Sequence, residues 1–178
     1  MKPYKVLLAL ALPLAVAPGV AKPPVAADMA RSRLCHPGEA VIFACNIGAK
    51  LAAVCGGKSP SGARCAQYRY GVPGKLELTY PGDGASGGLA HAETAYSGGG
   101  ESQILFKNAG FQYVVYSRMV RTNFKANEPN NPAFEAGVAV MKGDKLVGNR
   151  KCANPSDVDV DVAAASKFMP EGEFIYTP

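Results

Sequence analysis

The sequence predicts an all-β domain, an antiparallel sandwich or barrel with a short C-terminal helix and disulfide bonds. Short β-rich runs, separated by Gly, Pro, Asn and Asp, continue from Glu39 onward. Apolar and polar residues alternate in 75–80 and 111–120, as on a strand with one buried face. Five cysteines follow an apolar leader, which is typical of exported proteins. The 178 residues, 48% of them hydrophobic, suit one folded domain and exclude disorder over most of the chain.

The N-terminal stretch has the pattern of an export signal. Lys2 and Lys5 precede the apolar run 6–16, which is shorter than the roughly 20 residues that a membrane span needs. Small residues then offer cleavage after Ala21 or after Ala27. We therefore expect a periplasmic or secreted protein without a transmembrane span.

These signals divide the chain into two parts. Residues 1–27 are expected to be a signal peptide and a flexible mature N-terminus, and residues 28–178 a single β-domain. Cleavage after Ala21 removes two of the 19 basic residues, and the remaining 17 against 14 acidic residues give a charge of +3. The basic residues are scattered rather than clustered, so we expect no nucleic-acid partner.

Strands, loops and turns are assigned from the β-rich runs and from the Gly, Pro, Asn and Asp residues that separate them. Eight strands are predicted, at 39–45, 50–55, 65–70, 75–80, 102–107, 111–120, 135–141 and 145–151. Three loops are predicted, at 56–64, 81–100 and 126–133. The first hairpin is expected to turn at 47–49, and Gly110 and Gly143 are expected to supply positive φ in two later turns.

The last thirty residues read differently. Ser156 is predicted to cap a helix whose first turn is acidic, because a hydroxyl can accept from a free backbone N–H there. The helix is expected to continue through 163–168 and to stop before Pro170. A final edge strand is predicted at 173–176.

Because five is an odd number, at least one cysteine cannot form a disulfide bond within the chain. In the first hairpin, Cys45 and Cys55 fall at opposite ends and are not cross-strand neighbours, so they are too far apart for a bridge. Cys35 lies just before the first strand and could reach Cys55, while Cys45 could reach Cys152. Cys65 is then the candidate for the unpaired thiol.

The spacing of the candidate ligands does not match a zinc or a calcium site. Zinc sites need close ligand pairs, and no two cysteines here are that close. A calcium loop starting at Asp157 would need Gly at its sixth position and Glu at its twelfth, where Val162 and Phe168 stand. We expect no metal and no cofactor.

One enzymatic hypothesis can be drawn. A thiol hydrolase needs a Cys within hydrogen-bond reach of an imidazole and a third group that orients the ring. Cys65 and His91 are the one combination that we consider, with Glu93 two residues beyond the histidine. No family signature surrounds them.

Several segments together resemble a group of small secreted Gram-negative bacterial proteins of unknown function. The resemblance rests on 35–39, 43–45, 51–55, 68–71, 77–81, 96–101, 113–116, 136–138 and Cys152. It covers most of 35–176, implies export and a β-fold, and carries no activity.

A local resemblance covers 43–70. Phe43-x-Cys45, a hairpin and the run Ser59-Pro60-Ser61-Gly62-Ala63-Arg64 resemble the start of periplasmic inhibitors of c-type lysozyme. That family implies a small β-barrel whose Ser-Gly loop enters the enzyme cleft, so Ser61, Gly62 and Arg64 would form the inhibitory loop. It also implies a Cys45–Cys152 bridge.

The loop chemistry agrees with such a role, because a loop aimed at two catalytic carboxylates needs hydrogen-bond donors. The donors are Lys58, Ser59, Ser61 and Arg64. We therefore predict an exported, non-catalytic binding protein, similar to a lysozyme inhibitor, whose partner is a lysozyme or another envelope protein. The alternatives are a small hydrolase using Cys65 and His91, and an envelope-associated structural protein. The oligomeric state stays open.

Overall fold

Two antiparallel sheets build the domain in the computed structural model, which describes residues 33–82, 85 and 87–177. The predicted signal peptide at 1–27 lies outside the described residues. Sheet A contains β1 (Ala40–Ile47), β2 (Lys50–Lys58), β3 (Arg64–Val72) and β4 (Lys75–Tyr80). Sheet B contains β5 (Leu89–Tyr96), β6 (Gly99–Asn108), β7 (Phe111–Val120), β8 (Ala133–Lys142) and β9 (Lys145–Lys151). A 3-10 turn (Pro155–Asp157) and a short helix, α1 (Val162–Ala165), follow.

Each sheet is a meander, because every strand pairs with its neighbour along the chain. The two sheets remain separate, so the architecture is the sandwich of the two predicted forms rather than the barrel. Turns of two residues connect five of the strand pairs, whereas 59–63 connect β2 to β3 and 121–132 connect β7 to β8. Gly110 and Gly143, each in a two-residue turn, have the predicted positive φ, with values of 78° and 57°.

The main core lies between the sheets. Phe43 and Val54 of sheet A pack in the same buried cluster as Ile104 and Val138 of sheet B. At its centre the Phe106 ring stacks on two tyrosines, with ring centroids 4.7 Å apart in each pair. Burial of this apolar surface is the main force that holds the sheets together.

Both outer faces also carry a small apolar cluster. Leu34 and Cys35 pack on the outer face of sheet A against Ala53. Phe174 and Ile175 pack on the outer face of sheet B. The two ends of the described chain therefore act as covers for the sheets.

The C-terminal segment also covers one edge of each sheet. The amide of Ala153 donates to the carbonyl of Asn46, and the amide of Asp161 donates to that of Ile42, both on edge strand β1. His91, on edge strand β5, forms a parallel bridge with Glu171. Edges covered in this way are not available for pairing with other chains.

The eight strands predicted between residues 39 and 151 are all present, and one strand of the described chain, β5, was missed. The prediction of a loop over 81–100 was wrong, because β5 occupies Leu89–Tyr96 and pairs along its length with β6. Alanine and glutamate have low β-propensity, so this segment gives a weak strand signal. Tertiary pairing decides its conformation.

Two glycine runs assigned to loops lie in strands. The predicted loop at 56–64 begins later, since β2 continues to Lys58. The Phe168 ring stands 2.6 Å from where a Cβ of Gly56 would be, so only glycine fits there. Gly99 begins β6, and a Cβ there would lie 2.0 Å from the carbonyl oxygen of Met119. Gly56 and Gly99 therefore mark positions in strands that another part of the chain approaches closely, not turns.

The predicted loop at 126–133 ends one residue early, since β8 starts at Ala133. The first hairpin turns over two residues rather than over 47–49, because Ile47 pairs with Lys50. Cys45 therefore lies opposite Ala52.

The tail was predicted less well. The helix cap is Asp161, whose carboxylate accepts from Ala164 N at 2.8 Å, and not Ser156. The helix ends at Ala165 instead of continuing to 168. The predicted edge strand at 173–176 is not formed, because the segment crosses the outer face of sheet B and bonds a side chain there.

The two disulfide bonds have the expected pairing. Cys35 is bonded to Cys55 and Cys45 to Cys152, with Cα–Cα distances of 5.5 and 5.6 Å. Cys65 is a free, partly buried thiol. None of the described helices reaches the length and apolar character needed to cross a membrane.

Candidate functional site

The loop between β2 and β3 is the predicted binding loop, and it is tightly hydrogen-bonded. Ser59 N donates to Ala63 O and Gly62 N donates to Ser59 O, both at 2.8 Å. Gly62 has φ of +85°, as three-residue hairpin loops require at their last position, and Pro60 suits the first. The loop is therefore a fixed protrusion.

The loop and the strand ends beside it carry exposed hydrogen-bond donors. The hydroxyls of Ser59 and Ser61 lie 2.8 Å apart and share one hydrogen bond. Lys58 and Arg64 are direct cross-strand partners at the base of the loop, and both are exposed. Within the described part of the chain neither forms an ion pair with a carboxylate, so their charges are available to a ligand.

Arg69 anchors the strands below this loop. Its side chain is 6% exposed and donates from Nη1 and Nη2 to the two oxygens of Glu39, at 2.6 and 2.8 Å. Nε donates to Gln67 and Nη1 also donates to the carbonyl of Leu34. This bidentate network ties β3 to the segment that precedes β1.

The ionisation of Glu39 follows from this network. Partial burial alone would raise its pKa, but the hydrogen bonds from Arg69 and from the His36 amide outweigh burial and lower the pKa below its ordinary value. The carboxylate is thus held charged beside Arg69. The site below the loop is an ion pair, not a proton donor.

Cys65 lies next to the loop on the outer face of sheet A. It pairs with Gly57, two residues from Cys55 along β2, and both cysteines line a cavity of about 110 Å³. Cys55 belongs to the apolar cluster on the outer face of sheet A, which shows that Cys65 is on the outer face too.

The structure does not bring Cys65 and His91 together. His91 lies on edge strand β5 of the other sheet, on the same strand face as Leu89 of the main core. Its backbone bonds Pro170 and Gly172, and its buried Nδ1 has no hydrogen-bond partner among the described residues. The thiol and the imidazole therefore do not form the dyad that the hydrolase hypothesis requires.

A second polar cluster, on the outer face of sheet B, was missed. The Glu101 side chain is 1% exposed and accepts from Tyr96 Oη at 2.7 Å and Gln103 Nε2 at 2.6 Å. Arg118 lies between Glu101, at 3.6 Å, and Glu135, to which it donates from Nε at 2.8 Å. Strand pairing alone aligns these residues, and no local motif marks them.

The electrostatics of this cluster are those of a satisfied ion-pair network. Hydrogen bonding from Arg118 lowers the pKa of Glu135. Burial, followed by the bond to Glu101, raises the pKa of Tyr96. Glu135 is thereby kept charged and Tyr96 neutral, so the cluster has a structural role beneath the C-terminal tail.

Comparison of the chain with known proteins finds no matching family model, no matching curated protein and no matching solved structure.

Proposed function

We propose that this is an exported, non-catalytic binding protein that inserts the β2–β3 loop into the active-site cleft of a lysozyme. The observation that carries the proposal is the loop itself, an exposed protrusion closed by two backbone hydrogen bonds of 2.8 Å. Pro60 and Gly62 fit its conformation without strain. A partner would therefore meet a loop that is already in its bound shape, which reduces the entropic cost of association.

The chemistry of the loop supports a carboxylate-lined target. Ser61 presents a hydroxyl at the tip, and Lys58 and Arg64 place two cations at the base. A cleft that works with two carboxylates offers acceptors for all three donors. Recognition depends on short-range contacts at the loop, because a chain of net charge +3 would not be attracted from a distance by a basic enzyme.

Export is supported by the same features that stabilise the fold. Two disulfide bonds cross-link this small β-domain, as is common for proteins in oxidising compartments. The leader pattern at 1–27 supplies the route. A periplasmic or secreted location would bring the loop to enzymes that act on the cell envelope.

The test is an activity titration. The oxidised mature protein is added to c-, g- and i-type lysozymes, and residual activity is measured. We expect sub-micromolar inhibition of at least one class, an affinity of about −8 kcal/mol or better. Ser61→Ala/Arg64→Ala is expected to weaken inhibition by about 100-fold, since it removes a central donor and a charge.

A matched control lies in another hairpin. Lys142 and Lys145 are cross-strand partners beside a tight turn, as Lys58 and Arg64 are. Lys145→Ala should leave inhibition unchanged. Absence of inhibition of every class at tens of micromolar would refute the proposal, and so would equal losses from the loop variant and the control.

A further inference from the structure

A groove of about 580 Å³ lies on the outer face of sheet B, far along the chain from the β2–β3 loop. Its floor consists of three direct cross-strand neighbours, Lys107, Gln112 and Met141, on β6, β7 and β8. One wall is formed by the hairpin turns at Gly110 and Gly143, and the other by the C-terminal tail. The groove is thus a built feature of the sheet and its cover.

Aromatic rings line this groove. Phe111 stands at the turn between β6 and β7, and Phe174 and Tyr176 come from the tail. The rings of Phe174 and Tyr176 meet edge-on with centroids 5.0 Å apart, and Tyr176 is 75% exposed. An aromatic ring that is braced by a neighbour and yet left in solvent offers a flat surface to a ligand.

Polar groups converge on the same groove. Lys107, Asp144 and Glu173 line it, and among the described residues none of the three is engaged in an ion pair. Gln112 Nε2 donates to the carbonyls of Phe106 and Tyr113, each at 3.1 Å. This fixes the amide and leaves its oxygen as an acceptor.

We propose that this groove binds a saccharide. A sugar ring has an apolar face of C–H groups, which packs on aromatic rings, and a rim of hydroxyls, which both donate and accept hydrogen bonds. The rings of Phe174 and Tyr176 serve the first, and the carboxylates of Asp144 and Glu173 with the Lys107 ammonium serve the second. This site is separate from the loop of the proposed function.

The charges argue against other ligand classes. Asp144 and Glu173 are balanced by Lys107 in the lining and Lys142 beside it, so the groove offers no net attraction to a polyanion such as a nucleic acid. An organic cation would have to displace Lys142, whose Nζ already lies 5.8 Å from the centre of the Phe111 ring. It would also face Lys107 on the floor. A ligand with hydroxyls and no net charge meets neither obstacle.

The experiment is a titration of the ¹⁵N-labelled mature protein, followed by amide chemical shifts. The probes are tetra-N-acetylchitotetraose and maltotetraose, with choline and tetra-alanine as cationic and peptide probes. We expect at least one saccharide to bind with Kd of about 1 mM or lower and to shift amides of the tail and the floor. Tyr176→Ala should weaken binding by about fivefold or more, and Tyr176→Phe, which keeps the ring, by less than about twofold.

Phe124→Ala is the matched control, because Phe124 is an equally exposed ring, at 69%, outside the groove. It should leave binding unchanged. The proposal is overturned if neither saccharide gives saturable shifts in the groove up to about 10 mM, far above the expected Kd. It is equally overturned if choline or tetra-alanine alone binds there, or if the loss in Tyr176→Ala is matched by Phe124→Ala. Loss of lysozyme inhibition does not bear on these outcomes.

Discussion

The two disulfide bonds should contribute unequally to stability, and the inequality can be worked from the chain. The Cys45–Cys152 bond spans a sequence separation of 107, and the Cys35–Cys55 bond spans 20. Loop-closure entropy assigns about 4.8 kcal/mol to the longer loop and about 3.3 kcal/mol to the shorter one at 25 °C. The longer bond also joins β1 of sheet A to the residue that follows β9 of sheet B. Its removal therefore releases the relative position of the sheets.

The perturbation is the replacement of each pair by alanine. All four sulfurs are buried, with residue exposures from 1% to 8%, so packing losses nearly cancel between the two double variants. A Cys65→Ser background prevents the free thiol from exchanging with the remaining bond. We expect Cys45→Ala/Cys152→Ala to lower the free energy of unfolding by about 1.5 kcal/mol more than Cys35→Ala/Cys55→Ala.

The assay is guanidinium unfolding at pH 7, followed by far-ultraviolet circular dichroism, with the midpoint and slope fitted together. Equal losses in the two variants, or a larger loss from the Cys35–Cys55 pair, would refute the reasoning. The second result would mean that anchoring the segment before β1 matters more than closing the long loop.

Two further predictions concern the loop and its base. Glu39→Gln should lower the free energy of unfolding by about 3 kcal/mol at pH 7, because it leaves the Arg69 charge buried and uncompensated. The pKa of Glu39 is lowered in the folded protein, so its contribution is full above the unfolded value of 4.5 and is lost as pH falls through the folded value. The difference between wild type and variant in urea unfolding should therefore shrink towards pH 2, and a constant difference would contradict the ion-pair assignment. Gly62→Ala should cost about 1 kcal/mol from its φ of +85° alone, since nothing lies within 4 Å of the added Cβ. Gly82→Ala is the control, because Gly82 lies in open space and its φ is not positive. The melting temperatures of both variants are measured by thermal unfolding. Equal melting temperatures for the two variants would show that the loop does not hold Gly62 in the positive-φ conformation.

The parts of the fold that could be predicted are those with local causes. Alternation along 111–120 places β7 with its observed ends, and Gly143 marks the turn between β8 and β9, because both signals act within a few residues. Gly56 and Gly99 were misread as loop residues, because what excludes a side chain there is a ring or a carbonyl from a distant part of the chain. A single sequence contains no local trace of such contacts.

The candidate sites divide in the same way. The β2–β3 loop is encoded by consecutive residues, so its position between two strands was predictable. The Glu101–Arg118–Glu135 row and the saccharide groove assemble from strands whose register is set by the whole sheet. Successive residues of the row are 17 positions apart in the chain, and the groove combines residues of β6, β7 and β8 with the C-terminal tail. Only the topology shows that they are neighbours.

The covering of edge strands β1 and β5 by the C-terminal segment has a consequence for how the protein folds during synthesis. Meander sheets assemble from neighbouring segments and can form early, since their loop-closure costs are small. The bonds that cover β1 and β5 require residues 153–172, which follow all nine strands of the described chain and are therefore synthesised after them. Until they arrive, two strand edges are open to pairing with any other chain. A stop codon or frameshift near residue 150 would thus yield an aggregation-prone protein, not merely a shorter one.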